Sequence, residues 1–415
     1  MGTPAAPTPS LWQSRQFLWF AAGNFGNNLG DAVYAVALPL LIYQLTHQLL
    51  AMSVMATISL GPLIFGPVLG IFVDRWSPGR LVVPSLIVQL LASVLIPVLN
   101  AAHVLSIDSL YVLGGLIEFA GSAYRRSWMA VLPWLFPRRA PEARVSLQHL
   151  YVATTLVGPA AAGLLIGRLG YMGLMWLNAA TFLLPIVVTA TGVPFPRGAR
   201  GPSPSSVHPP FWLGLRAGFQ AIRRAPLLLQ AMVVRGAQNL VTSAGLTTLL
   251  MYDLRSTFGV SSGRVSLMLV AGGAGGLVGS LLAPRWGRRS LRLVLPAASL
   301  AAAGAVYLLF WPVWQVVPIV LFLIGLAAMG IFTVIEQATF YDVPPDQLGR
   351  VSGLFGLGAG VPAVLSPIVL AFLSHALTLP GTFAVIAVFL SVTAVAALAV
   401  TVPIRRLLSA RSGRG

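Results

Sequence analysis

Residues 24–41 read NFGNNLGDAVYAVALPLL, and they set three asparagines and one aspartate inside an otherwise apolar run. Asn24, Asn27, Asn28 and Asp31 follow the i, i+3, i+4 and i+7 spacing of a helix, so they share one face of it. A carboxylate removed from water is costly unless it is paired or hydrogen-bonded. The polar face is therefore expected to meet protein or a water-filled space.

Composition places these residues in a membrane. The chain has 415 residues, of which 57% are hydrophobic and 8% charged, and its mean hydropathy is +0.86. Soluble domains have about 25% charged residues, and one bilayer crossing needs roughly 20 apolar residues. Twelve apolar runs approach or exceed that length, and they cover residues 17–45, 50–73, 80–100, 108–131, 145–167, 171–193, 227–253, 264–283, 290–311, 313–338, 350–374 and 379–402.

These runs predict an all-α membrane protein with twelve transmembrane helices, numbered here as spans 1 to 12. They form two pseudo-symmetric six-helix bundles, residues 1–193 and residues 227–415 with a basic tail. Residues 194–226 join the bundles. This linker is polar and Pro-rich, and it ends in a short basic amphipathic stretch that we expect to lie on the membrane surface on the cytoplasmic side.

An internal repeat supports the two bundles. Arg235, Gln238, Asn239 and Thr242 in span 7 reproduce the spacing of the span 1 face, displaced by 211 residues, and two loop motifs recur at displacements of 210 and 206. Parallel repeats of this kind place a substrate site near the middle of the membrane. We therefore expect both polar faces, together with Tyr34, to line a central cavity.

The arginines set the expected orientation. All 26 basic residues are Arg; 22 fall on one side of the predicted spans and three on the other. The positive-inside rule makes the arginine-rich side, with both termini, cytoplasmic. Use of Arg without Lys indicates a bacterial genome and hence a bacterial plasma membrane. Because the basic residues punctuate apolar runs, the net charge of +17 does not indicate nucleic-acid binding.

The sequence offers no sign of a cofactor or metal. It contains no Cys, which excludes disulfides and thiolate metal sites. It also lacks a metalloprotease His pair, a serine nucleophile elbow and a phosphate-binding loop. We expect a monomer without cofactor or metal, whose partners are a small-molecule substrate, protons and the lipid bilayer.

The loop after span 2 reads GIFVDRWSPGR at residues 70–80 and resembles the signature of the major facilitator superfamily. With the Leu-Gly-Asp and Ala-Leu-Pro turns of span 1, it is most similar to the branch of macrolide-efflux and siderophore-export permeases. The resemblance covers all twelve spans, although Ser77 replaces a usual Gly and the second copy has Pro284 in place of the Asp. It implies a cytoplasmic gate formed by Gly70, Asp74, Arg75, Gly79 and Arg80, with Arg125 or Arg126 as partners. The alternative is a basic loop that only sets topology.

Span 5 contains a second motif, LVGPAAAG at residues 156–163. It resembles the Gly-Pro signature associated with antiporters of the superfamily. Gly158, Pro159 and Gly163 allow close approach of a neighbouring helix and a bend, which we expect to face span 11. Simple packing of small residues explains the motif nearly as well.

Two carboxylates, Asp31 and Glu118, lie well inside predicted spans and are candidates for proton coupling. Burial disfavours the charged form of a carboxyl and a nearby Arg favours it, so either group could take up and release a proton. The alternative is a permanent pair, for example Asp31 with Arg235.

These features predict a secondary active transporter, a proton-coupled exporter of drug-like amphipathic molecules that works by alternating access. The alternative is an exporter or flippase for one metabolite, such as a siderophore or a lysolipid, which the cationic Arg235 would suit. A membrane-embedded enzyme or a receptor is a remote third reading.

Overall fold

The structure is a computed structural model, and it describes residues 10–65, 78–191, 216, 219, 220, 222, 223, 226–286, 291–311, 313–343 and 348–412. This part of the chain is helical and contains no strand. Its helices are α1 Arg15–Thr46, α2 Leu49–Ile64, α3 Pro78–Ala101, α4 Ile107–Ala130, α5 Ala140–Thr191, α6 Pro226–Thr242, α7 Ala244–Ser256, α8 Ser262–Trp286, α9 Leu291–Tyr307, α10 Val317–Asp342 and α11 Leu348–Ser412.

Each predicted span overlaps one of these helices, so the all-helical prediction is confirmed. Within the described residues, seven helical stretches are long and apolar enough to cross a membrane. Two of them belong to α5 and α11, which have 52 and 65 residues, more than twice the roughly 20 that one crossing needs. The number of twelve crossings and the domain limits at 1–193, 194–226 and 227–415 stay predictions.

A single residue interrupts each of the two longest helices. Gly170 divides α5 with φ 65° and ψ −177°, and Thr378 divides α11 with φ 67° and ψ 168°. Glycine adopts such angles readily, whereas a β-branched residue pays for them in steric strain. The two breaks have nearly the same dihedral angles and lie 208 residues apart, close to the displacements of the sequence repeat. This correspondence supports the proposed duplication.

The fold groups the chain into two compact units. The first contains Met1–Ala37, Val68–Ala161 and Arg168–Ser205, and the second contains Leu38–Pro67, Ala162–Gly167 and Ser206–Gly415. The first unit therefore holds the amino-terminal half of α1, together with α3, α4 and most of α5. The second unit holds α6 to α11, and within it α2 packs against α11 and α7.

Large apolar side chains cover much of the outer surface of the helices. Leu293 is 70% exposed, Leu164 67% and Val112 63%. Soluble proteins rarely expose large contiguous apolar surfaces, whereas lipid tails are as apolar as these groups. The exposed faces are therefore the surface that a bilayer would cover.

Close backbone packing joins α8 to α10 in the second unit. A Cβ atom added to Gly275 would collide with the backbone carbonyl of Phe322, and one added to Gly279 would collide with that of Leu326. Glycines at a helix interface let two backbones approach and gain van der Waals contact in a membrane. These two positions hold the pair of helices in register.

This packing predicts opposite effects for two Gly→Ala changes. Gly275→Ala should destabilise the protein by about 1–3 kcal/mol, because a backbone carbonyl cannot move aside as a flexible side chain would. Gly304→Ala is the matched control, since its Cβ would meet open space and alanine favours a helix by up to about 1 kcal/mol. Thermal unfolding in detergent, followed by circular dichroism, measures both. Equal melting temperatures for the two variants would contradict this packing.

Candidate functional site

One arginine lies between the two carboxylates of the first unit. Arg125 Nη1 donates to Asp31 Oδ2 at 3.2 Å, and Arg125 Nη2 lies 3.9 Å from Glu118 Oε2. The side chains of Asp31 and Glu118 are 22% and 19% exposed, and that of Arg125 is 38% exposed. The three groups therefore form one partly buried cluster. We call it the Asp31–Arg125–Glu118 cluster.

Helix α4 supplies two members of this cluster. It starts at a capping box in which Ser106 and Ser109 each bind the other's backbone N–H, an arrangement that fixes the beginning of a helix. From that start, Glu118, Ser122 and Arg125 follow at helical spacing, as the sequence predicts. The regular helix brings Glu118 and Arg125 to the same face, where α1 adds Asp31.

Amide side chains hold Asp31 in place along α1. Asn27 Nδ2 donates to Asp31 Oδ2 at 3.1 Å, and Asn28 Nδ2 donates to Asn24 Oδ1 at 3.0 Å. The three asparagines are buried, so their described contacts are with protein. Both bonds join residues four apart, which is the helical neighbour relation expected from the sequence. Substrate contact by Asn24, Asn27 and Asn28 stays a prediction.

The charges of the cluster do not balance. With both carboxyls ionised, Asp31 and Glu118 contribute two negative charges, and Arg125 contributes one positive charge. An uncompensated charge in a medium of low dielectric constant is costly. One proton on either carboxyl would make the cluster neutral. In the described residues no group of three or more His, Asp or Glu is arranged to hold a metal ion.

Two tyrosines border this cluster. Tyr34 on α1 and Tyr124 on α4 are fully buried, and their hydroxyls have no hydrogen-bond partner in the described part of the chain. The ring of Tyr124 lies 5.2 Å from that of Trp128, which stacks on Phe20 at 4.3 Å. Tyr124 thus belongs to a group of packed aromatic rings, and Tyr34 has an unused hydroxyl. Its role in binding substrate stays a prediction.

Sequence reasoning missed a polar row on α3. Ser85, Gln89 and Ser93 recur every four residues and are all buried. Gln89 Nε2 donates to the carbonyl of Ser85 at 3.2 Å, and Ser93 Oγ donates to the carbonyl of Met175 at 3.3 Å. The spacing is visible in the sequence, and it marks one helix face. The sequence does not mark this row as a site because none of its three residues is charged.

The polar face of α6 is fastened to neighbouring helices. Gln238 Nε2 donates to Ser299 Oγ at 2.6 Å, and Asn239 Nδ2 donates to the carbonyl of Ala359 at 2.9 Å. Thr242 Oγ1 donates to the carbonyl of Gln238 at 2.9 Å. Such bonds hold helices together where water is excluded. These residues serve packing in the structure, and their substrate contact stays a prediction.

Arg235 has a different partner from the one suggested by the sequence. Its Nη1 donates to the carbonyl of Ala328 at 3.0 Å, whereas Asp31 pairs with Arg125. Asp31 thus has an ion-pair partner within its own unit, supplied by α4. The pairing of Asp31 with Arg235 stays a prediction. In the described residues Arg235 forms no ion pair, so its positive charge is uncompensated.

Most of the predicted gate cannot be placed. Gly70, Asp74 and Arg75 lie outside the described residues, and Gly79 and Arg80 occupy the first turn of α3. The role of this motif as a cytoplasmic gate stays a prediction.

The two arginines suggested as partners of the gate have other contacts. Arg126 Nε lies 3.5 Å from Ser122 Oγ, and Arg125 is engaged by Asp31 and Glu118. Adjacent arginines on one helix thus point to different surroundings. Arg125 belongs to the buried cluster and not to a surface loop in this structure.

The small residues of the span 5 motif do bring helices together. A Cβ on Gly158 would collide with Ala32 of α1, and a Cβ on Gly163 would lie 2.8 Å from the carbonyl oxygen of Gly263 in α8. The dihedral angles of α5 stay helical at Pro159. The neighbours of the motif are α1 and α8, where span 11 was expected. The role of Gly158, Pro159 and Gly163 in antiport stays a prediction.

Comparison with known proteins identifies a family model that matches most of the chain. The sequence model described as Major Facilitator Superfamily matches residues 20–342 and 239–414. A search of curated proteins found no match.

Three similar solved structures are those of transporters. A mutant of the nucleoside transporter NupG has a TM-score of 0.73 at 16% identity, covering 92% of this chain and 99% of that one. A bacterial homologue of the human lysosomal transporter Spinster, inward-facing and occupied, has a TM-score of 0.72 at 13% identity, covering 95% and 98%. A bacterial homologue of the iron transporter ferroportin has a TM-score of 0.67 at 15% identity, covering 94% and 100%. At these identities the likeness shows a common fold.

Proposed function

Because the chain belongs to the major facilitator superfamily and is thus a multi-pass membrane transporter, not an enzyme, we propose that it exports amphipathic small molecules in exchange for protons. The observation that carries the proposal is the position of Arg125 between Asp31 and Glu118. Three ionisable groups with one excess negative charge can bind one proton and release it again as the surroundings change.

Protonation acts on the hydrogen bonds of the cluster. Ionised Asp31 accepts from Arg125 and Asn27, and a hydrogen bond to a charged group contributes about 1.5–3 kcal/mol. A proton on Asp31 cancels this attraction and leaves Arg125 free to move toward Glu118. Free energies of this size change the population of two conformations by about 10- to 100-fold. Proton binding can therefore select the conformation that releases substrate.

The substrate class rests on sequence resemblance and on the character of the cluster. The similarity of the span 1 and loop motifs to macrolide-efflux permeases favours drug-like amphipathic molecules as substrates. Export of such molecules would confer resistance to several drugs. Buried aromatic rings beside charged groups suit a ligand that has apolar and polar parts. A carboxylate-rich cluster also disfavours an anionic group at this position.

A second candidate function follows from Arg235. Its guanidinium is part-buried, donates to a carbonyl and has no ion pair in the described residues. A buried cation of this kind is stabilised by an anionic ligand. Export or flipping of one anionic metabolite, such as a siderophore or a lysolipid, is therefore the alternative. Arg235→Gln would then abolish transport of the anion and leave drug accumulation unchanged.

We also propose the setting in which the protein works. The excess of Arg on one side of the predicted spans supports a bacterial plasma membrane with both termini in the cytoplasm. We expect the protein to act as a monomer that needs a small-molecule substrate, protons and the lipid bilayer.

Accumulation assays in cells test the function directly. Cells that express the protein should retain less of a panel of lipophilic amphipathic drugs than cells with an empty vector, and an uncoupler should remove the difference. A gradient of protons is the energy source in this proposal, so its collapse equalises the two strains. Unchanged accumulation of every compound would refute drug export and favour the anionic metabolite.

A further inference from the structure

Gln89 has a buried acceptor that no described group uses. Its side chain is 0% exposed, and its Oε1 has no hydrogen-bond partner in the described part of the chain. An unpaired buried acceptor costs about 1–3 kcal/mol. Native structures contain few buried polar groups without a partner. One reason for such a group is that its hydrogen-bond partner reaches it in another conformation of the protein.

The orientation of this amide is fixed by its other end. Gln89 Nε2 donates to the carbonyl of Ser85 at 3.2 Å. Since a carbonyl can only accept, the nitrogen must face Ser85, and a flipped amide would put two acceptors together. The oxygen of Gln89 therefore points away from Ser85, toward α4.

The nearest charged donor on that side is Arg125. A Cβ atom placed on Gly121 would lie 2.9 Å from Gln89 Oε1 and 3.1 Å from Arg125 Nη1. These two atoms therefore lie at most 6.0 Å apart, and both border the space that a side chain at Gly121 would occupy. The same Nη1 is the atom that binds Asp31 at 3.2 Å. A small side-chain movement would bring it within hydrogen-bond distance of Gln89.

We propose that Gln89 is the second acceptor for Arg125, which takes the guanidinium when a proton neutralises Asp31. The inference rests on the proposed proton coupling and adds a positioning residue to it. Because Gln89 is an uncharged acceptor, it binds the Arg125 guanidinium more weakly than ionised Asp31 does. Arg125 therefore pairs with Asp31 again when Asp31 loses its proton. The gap above Gly121 is the path of this movement.

The other titratable groups around Arg125 belong to α1 and α4. Asp31 and Tyr34 approach from α1, and Glu118, Tyr124 and Arg126 belong to α4. The charge of Glu118 is the same before and after Asp31 takes up a proton, and Glu118 Oε2 lies 3.9 Å from Arg125 Nη2. The described part of α3 has its one titratable residue, Arg80, at its far end. Gln89 is thus the neutral acceptor that faces the cluster from α3.

A structure of the Asp31→Asn variant tests the inference without a transport assay. The amide imitates the neutral carboxyl, so Arg125 Nη1 should lie within about 3.2 Å of Gln89 Oε1. If Arg125 stays at position 31 or moves only to Glu118, and Gln89 Oε1 remains unpaired, the inference is overturned.

Transport in proteoliposomes gives the second test. We expect Gln89→Leu and Gly121→Ala each to lower the ratio of proton-driven transport to substrate exchange by at least about tenfold, since one removes the acceptor and the other fills the gap. Ser93→Ala is the control. It lies in the same polar row but bonds to Met175, so it should keep the wild-type ratio.

The outcomes separate the two proposals. If Asp31→Asn abolishes coupling and both Gln89→Leu and Gly121→Ala keep the wild-type ratio, the role of Gln89 is refuted and proton coupling stands. If Asp31→Asn is itself fully coupled, the role of Gln89 fails with its premise, and if Glu118→Gln is fully coupled as well, the proposed function fails. A drop of the ratio in Ser93→Ala equal to that in Gln89→Leu would show that the α3 row acts only through stability.

Discussion

Asp31→Asn is expected to lower proton-driven transport by at least about 100-fold, the usual contribution of a group that transfers a proton. Asparagine has nearly the shape of aspartate and keeps an oxygen that can accept from Asn27. It cannot bind or release a proton at any accessible pH. The variant should therefore fold normally. The measurement is substrate flux in proteoliposomes with and without an imposed pH gradient.

The matched control for this variant is Asp108→Asn. Asp108 lies in the first turn of α4 and is exposed, so its replacement removes an identical charge outside the cluster. It should leave the dependence of flux on the pH gradient unchanged. A wild-type response of Asp31→Asn to the gradient would exclude Asp31 as the proton carrier. Loss of the response in Glu118→Gln alone would then assign the proton to Glu118.

Arg125→Gln is expected to cause the largest loss of stability, about 3–5 kcal/mol, because it leaves two partly buried carboxylates without a cation. Arg126→Gln is the matched control on the next residue. Arg126 Nε makes a long contact of 3.5 Å with Ser122 Oγ, so the loss of this side chain should cost far less stability. Thermal unfolding in detergent and the yield of folded protein compare the two.

A double-mutant cycle separates charge from packing. If the loss in Arg125→Gln comes from unpaired charge, then adding Asp31→Asn should restore most of the stability, although proton-driven transport should stay absent. The coupling free energy between residues in direct contact is typically 0.5–3 kcal/mol. Additive losses in the double variant would show that Arg125 acts through its packing alone.

The sequence predicts much of this arrangement because it depends on local spacing. Asn27 and Asp31 are four residues apart, so a helix alone brings them together, and Glu118 and Arg125 meet in the same way on α4. The repeat displaced by about 210 residues is also a sequence property, and the corresponding breaks at Gly170 and Thr378 follow it.

Contacts between distant helices were harder to predict. Asp31 and Arg125 are 94 residues apart, and charge alone made Arg235 an equally good partner. Only the packing of α1 against its neighbours shows that Arg125 pairs with Asp31. Gln89 could not be predicted for a similar reason. An uncharged amide inside a span is common, and only the packing of α3 against α4 places its unpaired oxygen near an arginine.

The single-residue breaks at Gly170 and Thr378 have a consequence for how the protein meets its surroundings. Each joins two long helical segments with hardly any intervening chain, and the residues around them, such as Arg168 and His375, are exposed. An antibody or a protease that approaches either break would find a tight corner in place of a flexible loop. An epitope tag or a cleavage site inserted at either break would disturb two helical segments at once.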